Sequence, residues 1–189
     1  MHNIDEIFND RTCYKFLDKS IETSLLEKIY DTAKLGATSA NSCPLRIIFV
    51  ASKQEREKLY KCLAAGNVEK TKTAPVTAIF AYDSKFYELM PKLFPHHPEM
   101  ESYFASEPIT QHAALQNSTL QAAYFMIVAR AHGLACGPMG GFDDKALNDS
   151  FFPDGRYKVN FLCNLGYADG DTPYPKLPRL IFAECCKFV

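Results

Sequence analysis

One long helical segment constrains the fold more than any other feature of the sequence. Residues 109–132 are rich in alanine, contain neither proline nor glycine, and are followed by Gly133, the residue type that most often ends a helix. Apolar side chains occur around much of the girth of this segment, which is typical of a helix packed on several sides. We therefore predict a central helix around which the rest of the chain is built.

The remaining periodicity predicts a mixture of strands and shorter helices. Apolar runs rich in β-branched and aromatic residues predict strands over residues 46–50, 75–82 and 157–166. Apolar spacing and capping residues predict helices over residues 4–9, from Thr23 or Ser24 onward, from Ser52 to near Gly66, and over 143–150. Strands and helices do not alternate strictly, so the sequence indicates one α+β or α/β domain over residues 1–189, without a Rossmann core.

Residues 84–108 differ from the rest of the chain. They are aromatic, rich in methionine and interrupted by Pro91, Pro95, Pro98 and Pro108. We expect an insertion of short helices that leaves the core, and such insertions often cover an active site. A structural flap without a role in chemistry is the alternative.

Composition excludes several classes of partner and site. The formal net charge is -1, from 21 basic and 22 acidic residues, so no global positive field favours nucleic acid or a membrane surface. The longest apolar stretch is too polar to span a bilayer, and an acidic start without an apolar leader predicts a cytoplasmic protein. The seven cysteines are scattered without a Cys-x-x-Cys pair, so we expect no metal site and no dithiol.

Motifs for acid–base or nucleophilic catalysis are absent, and no catalytic side chain is assigned. His112 and His132 lie on the long helix, where we expect surface or packing roles. Three polar clusters remain, at residues 10–16, 37–44 and 137–141. In the cluster at 10–16, Arg11 and Thr12 suit a phosphate group. The cluster at 37–44 offers small hydrogen-bond donors to a heteroatom-rich ring. The glycines of the cluster at 137–141 let the backbone approach a flat ligand. Each cluster taken alone is also compatible with an ordinary surface turn.

In this order, the clusters resemble the motifs of the flavin-binding nitroreductase family. The matching segments are Arg-Thr-Cys-Tyr-Lys-Phe at 11–16, Ala-Thr-Ser-Ala-Asn-Ser-Cys-Pro at 37–44, Gly-Asn at 66–67, Gly-Gly-Phe-Asp at 140–143, Leu-Gly-Tyr at 165–167 and Arg-Leu at 179–180. The resemblance spans nearly the whole chain. Phrases at 38–41, 73–78, 86–96, 117–124, 137–143 and 177–180 are most similar to the malonic semialdehyde reductase branch of pyrimidine catabolism.

The resemblance implies an α+β fold in which a central, mostly antiparallel sheet is flanked by helices. It also implies an intertwined homodimer with one FMN per active site, to which both subunits contribute. NAD(P)H is then the co-substrate, and hydride is relayed through FMN to a small acceptor. No side chain has to be a strong acid or base, because FMN carries the chemistry.

Site residues follow from the resemblance position by position. Arg11, Thr12 and Arg179 would hold the phosphate and ribityl end, and Thr38, Ser39 and Asn41 would reach the flavin of the other subunit. Asn67 would contact the polar edge of the ring. One ring face would lie along Pro138, Met139, Gly140 and Gly141. The Gly140 N–H would lie near the hydride-carrying nitrogen of the ring. Tyr14 and Lys15 are also expected to bind FMN. Tyr14 stands where many relatives have Arg or Lys, so the cation near the ring would be Lys15, Lys70 or Lys72, or would be missing. Asp10, Cys43 and Leu45 also depart from the family pattern, and we expect weaker FMN binding from them.

The acceptor is open at this point. The branch implies a small aldehyde acid such as malonic semialdehyde, and nitroaromatics or quinones are the alternative for the same fold. Lys92, His96 and His97 in the insertion would attract a carboxylate, whereas Phe86, Tyr87, Phe94 and Phe104 would stack on aromatic acceptors. A flavin-binding protein without turnover is the alternative from another functional class.

Overall fold

The computed structural model describes residues 3–9, 11–170 and 175–189. Asp10, from which we expect weaker binding of the FMN phosphate, lies outside these residues. The helices in them are α1 Ile4–Asn9, α2 Thr23–Ala33, α3 Lys53–Tyr60, α4 Ala65–Thr73, α5 Met90–Leu93, α6 Glu99–Phe104, α7 Ile109–Ala131, α8 Asp144–Phe151 and α9 Phe182–Cys185, with 3-10 turns at Ser39–Asn41 and Phe86–Leu89. Across the described ranges, no helix combines the length and apolar character needed to cross a membrane.

A four-stranded sheet forms the centre of the described chain. Its strands are β1 Leu45–Val50, β2 Val76–Asp83, β3 Ala135–Met139 and β4 Tyr157–Gly166. They lie in the order β1-β2-β4-β3, and every neighbouring pair is antiparallel. All eight residues of β2 are buried, because neighbouring strands flank it and helices cover both faces of the sheet. This architecture confirms the predicted α+β fold with a central antiparallel sheet.

Side chains that alternate along β2 build a core on each face of the sheet. Phe80 packs in the cluster with residues of α2 and α7 such as Ile29 and Phe125. Its neighbour Ile79 points into the opposite cluster, which contains Leu59 of α3 and Leu147 of α8. The long helix α7 is therefore central, as its sequence predicts, and Gly133 beyond its end has a φ of 83°.

Two local expectations were wrong. The helix predicted from Ser52 to near Gly66 ends at Tyr60, and a second helix, α4, begins at Ala65. Between them, Leu63 forms a β-bridge with Phe142, which ends the helical path of the backbone. No strand was predicted over residues 135–139, which form the strand β3. Pairing with β4 overrides its weak strand propensity, and Pro138 is tolerated because β3 is an outermost strand.

The insertion at residues 84–108 forms short helices, as predicted, around a small core of its own. Phe86, Met90 and Phe104 are buried there against the start of α7. A buried carboxylate anchors the first turn of the insertion: Asp83 accepts hydrogen bonds from Arg156 Nε at 3.0 Å and from Arg46 Nη2 at 2.9 Å. The hydrogen bond to Asp83 raises the pKa of the Arg156 guanidinium above its ordinary value.

Candidate functional site

The N-terminal polar segment lies against the outer edge of β3. The Cys13 N–H donates to the Cys136 carbonyl at 2.9 Å, and the Phe16 N–H donates to Thr73 Oγ1 of α4 at 3.3 Å. A Cβ on Gly137 would lie 2.7 Å from the Cys13 carbonyl oxygen, so this close approach requires glycine. Arg11 and Thr12 are thereby carried to the same edge of the sheet as the third polar cluster.

The turn after β3 brings Asn67 to the predicted ring-binding backbone. The Gly141 carbonyl accepts hydrogen bonds from Asn67 Nδ2 at 2.7 Å and from the Ala64 N–H at 3.0 Å. Gly140 beside it is exposed, and a Cβ there would meet no atom of the described residues within 4 Å. The structure therefore brings Asn67 to the end of β3 and the two glycines that follow it, and it leaves open space at Gly140.

Three lysines were candidates for the cation near the ring, and the structure distinguishes them. Lys15 pairs with Asp169 at 2.5 Å, and Lys72 pairs with Glu69 at 2.7 Å. Lys70 Nζ lies 5.4 Å from the centroid of the Tyr14 ring, and its partial burial lowers its pKa below the ordinary value. In the part of the chain that the structure describes, no carboxylate lies within salt-bridge distance of Lys70. Lys70 is therefore the best-suited cation beside Tyr14.

The second polar cluster forms a strained turn before β1. Ala40, Asn41 and Cys43 have φ values of 47°, 54° and 43°, a backbone region that residues other than glycine seldom adopt. Polar contacts hold the turn: the Ser39 N–H donates to Asn117 Oδ1 at 2.7 Å, and Asn41 Nδ2 donates to the Leu93 carbonyl at 2.9 Å. The turn thus connects α7 to the insertion.

The strained turn and the end of β3 lie at opposite edges of the sheet. The turn leads into β1, whereas the N-terminal segment and the Gly140 turn border β3, and these are the two outermost strands. Three interstrand spacings separate β1 from β3, which amounts to about 14 Å. Within one chain, Thr38, Ser39 and Asn41 are therefore remote from Asn67 and Gly140.

Arg179 lies in the exposed tail described over residues 175–189. Its Nη1 donates to the carbonyls of Leu177 and Pro178, both at 3.1 Å. The guanidinium is thus bound to its own segment, and its place relative to Arg11 depends on where the tail packs.

A cavity of about 670 Å³ lies between the insertion and the start of α7, beside Ser39. Tyr103, His112 and Gln116 line it, and none of them was among the predicted site residues. The spacing of His112 and Gln116 by four residues puts both on one side of α7. This spacing, next to the insertion, was the signal in the sequence that would have identified them.

The expected stacking residues of the insertion are mostly unavailable. Phe86 is fully buried, and Phe104 is only 3% exposed, because both form the core of the insertion. The expectation that Phe86 stacks on an acceptor was therefore wrong, whereas Phe104 lines the cavity beside Ser39. His97 stacks on Phe94, with ring centroids 5.3 Å apart, and its Nδ1 lies 2.9 Å from the Glu99 carboxylate. His97 is thus already paired with the Glu99 carboxylate.

Comparison with known proteins identifies the family. The nitroreductase family matches residues 7–167. A relative from Ralstonia nicotianae, provisionally named an NADH dehydrogenase/NAD(P)H nitroreductase, is 50% identical over 185 residues, which are 97% of this chain and 95% of the relative. A relative from Polynucleobacter asymbioticus with the same provisional name is 47% identical over 95% of this chain and 91% of its own.

Solved structures show the same fold. A nitroreductase-type protein from Exiguobacterium sibiricum, crystallised in complex with FMN, superimposes with a TM-score of 0.88 at 21% identity and covers 100% of this chain and 98% of its own. A second from Bacillus subtilis gives a TM-score of 0.89 at 20% identity and covers 98% of each chain. From the match over residues 7–167 and the close relatives, we conclude that the chain belongs to the nitroreductase family.

Proposed function

We propose that this protein is an NAD(P)H-dependent oxidoreductase that uses FMN. The observation that carries the proposal is the convergence at one edge of the sheet of a basic, hydroxyl-bearing segment, Asn67 and an open glycine turn. The names of the two relatives and the FMN complex of the structural neighbour support the same chemistry.

The residues at the β3 edge fit FMN. Gly140 leaves room for a flat ring to approach the backbone, and Asn67 uses one amide hydrogen on Gly141, with a second hydrogen and an oxygen available for the ring edge. Arg11 and Thr12 offer a planar fork and a hydroxyl to the phosphate, and Lys70 offers the positive charge that favours electron-rich flavin. When bound, FMN supplies the ring that accepts and delivers hydride.

A homodimer completes the site in this proposal. Thr38, Ser39 and Asn41 lie on the opposite edge of the sheet, so they would reach the ring bound by a second copy. Two leucines of α7 are exposed, Leu115 at 45% and Leu120 at 42%, and several large apolar residues of the tail are exposed as well. Apolar side chains of this kind are available for burial against a second copy. The tail would carry Arg179 to its position by packing on the partner.

We propose a small aldehyde acid such as malonic semialdehyde as the acceptor. The resemblance of the insertion and of the late Leu-Pro-Arg-Leu phrase supports this branch, and His112 and Gln116 offer polar groups in the cavity beside Ser39. The alternative acceptors, nitroaromatics and quinones, are favoured by the apolar part of the same lining, Met100 and Tyr103.

A cytoplasmic location accords with seven cysteines that are all free.

The proposal is tested by absorbance spectroscopy. We expect the purified protein to bind added FMN and the flavin bands to bleach when NADH or NADPH is added without oxygen. Reoxidation rates with malonic semialdehyde, a nitrofuran and a quinone then rank the acceptors. Flavin bands that never bleach would favour the non-catalytic flavin-binding protein, and failure to bind FMN would rule out the proposal.

A further inference from the structure

Buried hydrogen bonds connect the centre of the sheet to the glycine turn. The Thr77 hydroxyl on β2 donates to Asn164 Oδ1 on β4 at 2.8 Å, and Asn164 Nδ2 donates to Thr71 Oγ1 on α4 at 3.1 Å. Thr71 Oγ1 donates to the backbone carbonyl of Asn67 at 2.8 Å, and Asn67 Nδ2 donates to the Gly141 carbonyl at 2.7 Å. We call these five residues the polar network.

The chemistry of the groups determines the direction of every bond in the network. Asn164 Nδ2 can only donate, so the Thr71 oxygen accepts, and its single hydrogen is directed to the Asn67 carbonyl. Met139 Sδ lies 3.7 Å from the same hydroxyl. Thr71, Thr77 and Asn164 are each 2% exposed or less, so water does not compete for these bonds.

The helix that carries Asn67 needs such support. α4 has nine residues, among them Gly66 and two threonines, which have low helix propensity, and an isolated helix of this length is marginal. Apolar contacts would hold it in place but are non-directional. Hydrogen bonds constrain both distance and angle, and a fully satisfied buried network rigidifies the groups that it joins.

We propose that Thr71 is a positioning residue of the flavin site. Its hydroxyl, held by Asn164, orients the first turn of α4, so that the Asn67 amide and the Gly141 carbonyl keep the geometry in which the turn at 138–141 receives the ring. This inference rests on the proposed function, because it assigns the network to the FMN site of the same protein.

The test is Thr71→Val, which keeps the size of the side chain and removes the hydroxyl. FMN affinity is measured by quenching of flavin fluorescence, and the midpoint potential of bound FMN by redox titration. We expect a loss of FMN affinity of roughly 10-fold, the lower end of the loss in metal affinity when a group that orients a metal ligand is removed, together with a shifted potential. Thr71→Ser keeps the hydroxyl and should restore both.

Thr110→Val is the matched control. Thr110 is also a buried threonine, 4% exposed, and it donates to the Phe104 carbonyl at 2.5 Å, outside the polar network. We expect its unfolding temperature to fall while its FMN affinity stays at the wild-type level. In protein without FMN, hydrogen exchange of the Asn67 side-chain amide, followed by NMR, should accelerate in Thr71→Val and not in Thr110→Val.

The outcomes separate this inference from the proposed function. If the wild-type protein fails to bind FMN, the proposed function is wrong and the inference falls with it. If the wild type binds FMN and Thr71→Val binds it equally well at the same potential, or if Thr110→Val is equally impaired, the network is merely structural. The inference is then overturned while the proposed function stands.

Discussion

Gly140 and Gly141 are adjacent, yet the structure restricts the side chain only at Gly141. A Cβ on Gly141 would lie 2.6 Å from Asn67 Nδ2, whereas a Cβ on Gly140 meets no described atom within 4 Å. Packing inside the protein thus explains Gly141. At Gly140 the protein itself imposes no such limit, and the proposed ring provides the reason for glycine.

Substitution at the two glycines should separate stability from binding. We expect Gly140→Val to change the free energy of unfolding of the FMN-free protein by no more than about 0.5 kcal/mol, and to weaken FMN binding strongly because the side chain occupies the space of the ring. Gly141→Ala should cost about 1–3 kcal/mol through overpacking against Asn67. Urea unfolding and FMN titration measure the two effects. Wild-type FMN affinity in Gly140→Val would contradict the proposed ring position.

Lys70 is the second residue whose role is testable. We expect Lys70→Met to slow reduction of bound FMN by NAD(P)H by roughly 10-fold or more, since removal of one group that stabilises developing negative charge typically costs 100-fold or more. Lys72→Met is the control, because Lys72 is paired with Glu69. Stopped-flow absorbance measures the rates. Equal effects of the two substitutions would remove the special role of Lys70.

The same lysine predicts a dependence on pH. Burial lowers the pKa of Lys70 below its ordinary value of 10.5. If the charged form assists reduction, the assistance is present below the lowered pKa of Lys70 in the folded protein and is lost as pH rises through it. Lys70→Arg, which stays charged, should abolish this alkaline decline. A decline that persists in Lys70→Arg would assign it to another group.

At the scale of elements, the insertion is held to the sheet by charge as well as by its own core. Asp83 is 1% exposed and binds both Arg46 and Arg156, and Arg156 also reaches Glu88 at 2.9 Å. The buried carboxylate thus joins β1, β2 and the segment before β4 to the first turn of the insertion. That first turn packs on α6 through Phe86 and Phe104, whose ring centroids are 5.2 Å apart, and α6 lines the cavity beside Ser39.

Breaking this anchor should destabilise the insertion. We expect Asp83→Asn to reduce the free energy of unfolding by about 2–4 kcal/mol, near the range for removal of one partner of a buried ion pair, with faster proteolysis within residues 84–108. Glu88→Gln removes only an exposed pairing and should cost about 1 kcal/mol or less. Chemical unfolding and limited proteolysis check both. Equal stability of the two variants would show that the apolar core alone holds the insertion.

At the scale of the whole molecule, the two outer edges of one sheet carry the two halves of the proposed site. A flat ligand at the β3 edge cannot also touch the strained turn before β1 of the same chain, about 14 Å away. The proposed composite site therefore requires two copies of the chain. Exposed leucines on α7 and the exposed tail are the surfaces available for it.

A double substitution on α7 tests the association. We expect Leu115→Glu with Leu120→Glu to shift the protein to a monomer and to abolish tight FMN binding, because charged residues do not tolerate burial in an apolar interface. Lys53→Glu is the control, since Lys53 is an exposed charged residue at the start of α3 and is not part of the exposed apolar surface. Light scattering after gel filtration gives the mass. A wild-type monomer with full FMN affinity would refute the composite site.

Local interactions in the sequence determined much of this protein: the extent of α7, three of the four strands of the described sheet, and the polar segments from which the family is identified. These signals depend on neighbours a few residues apart. Tertiary contacts alone decided that residues 135–139 form a strand, that Leu63 separates α3 from α4, and that Phe86 and Phe104 are buried. They also put Thr71 and Asn164 in contact and the two halves of the site on opposite edges. Each of these outcomes depends on pairing and packing between residues distant in the chain, which propensity and spacing do not encode.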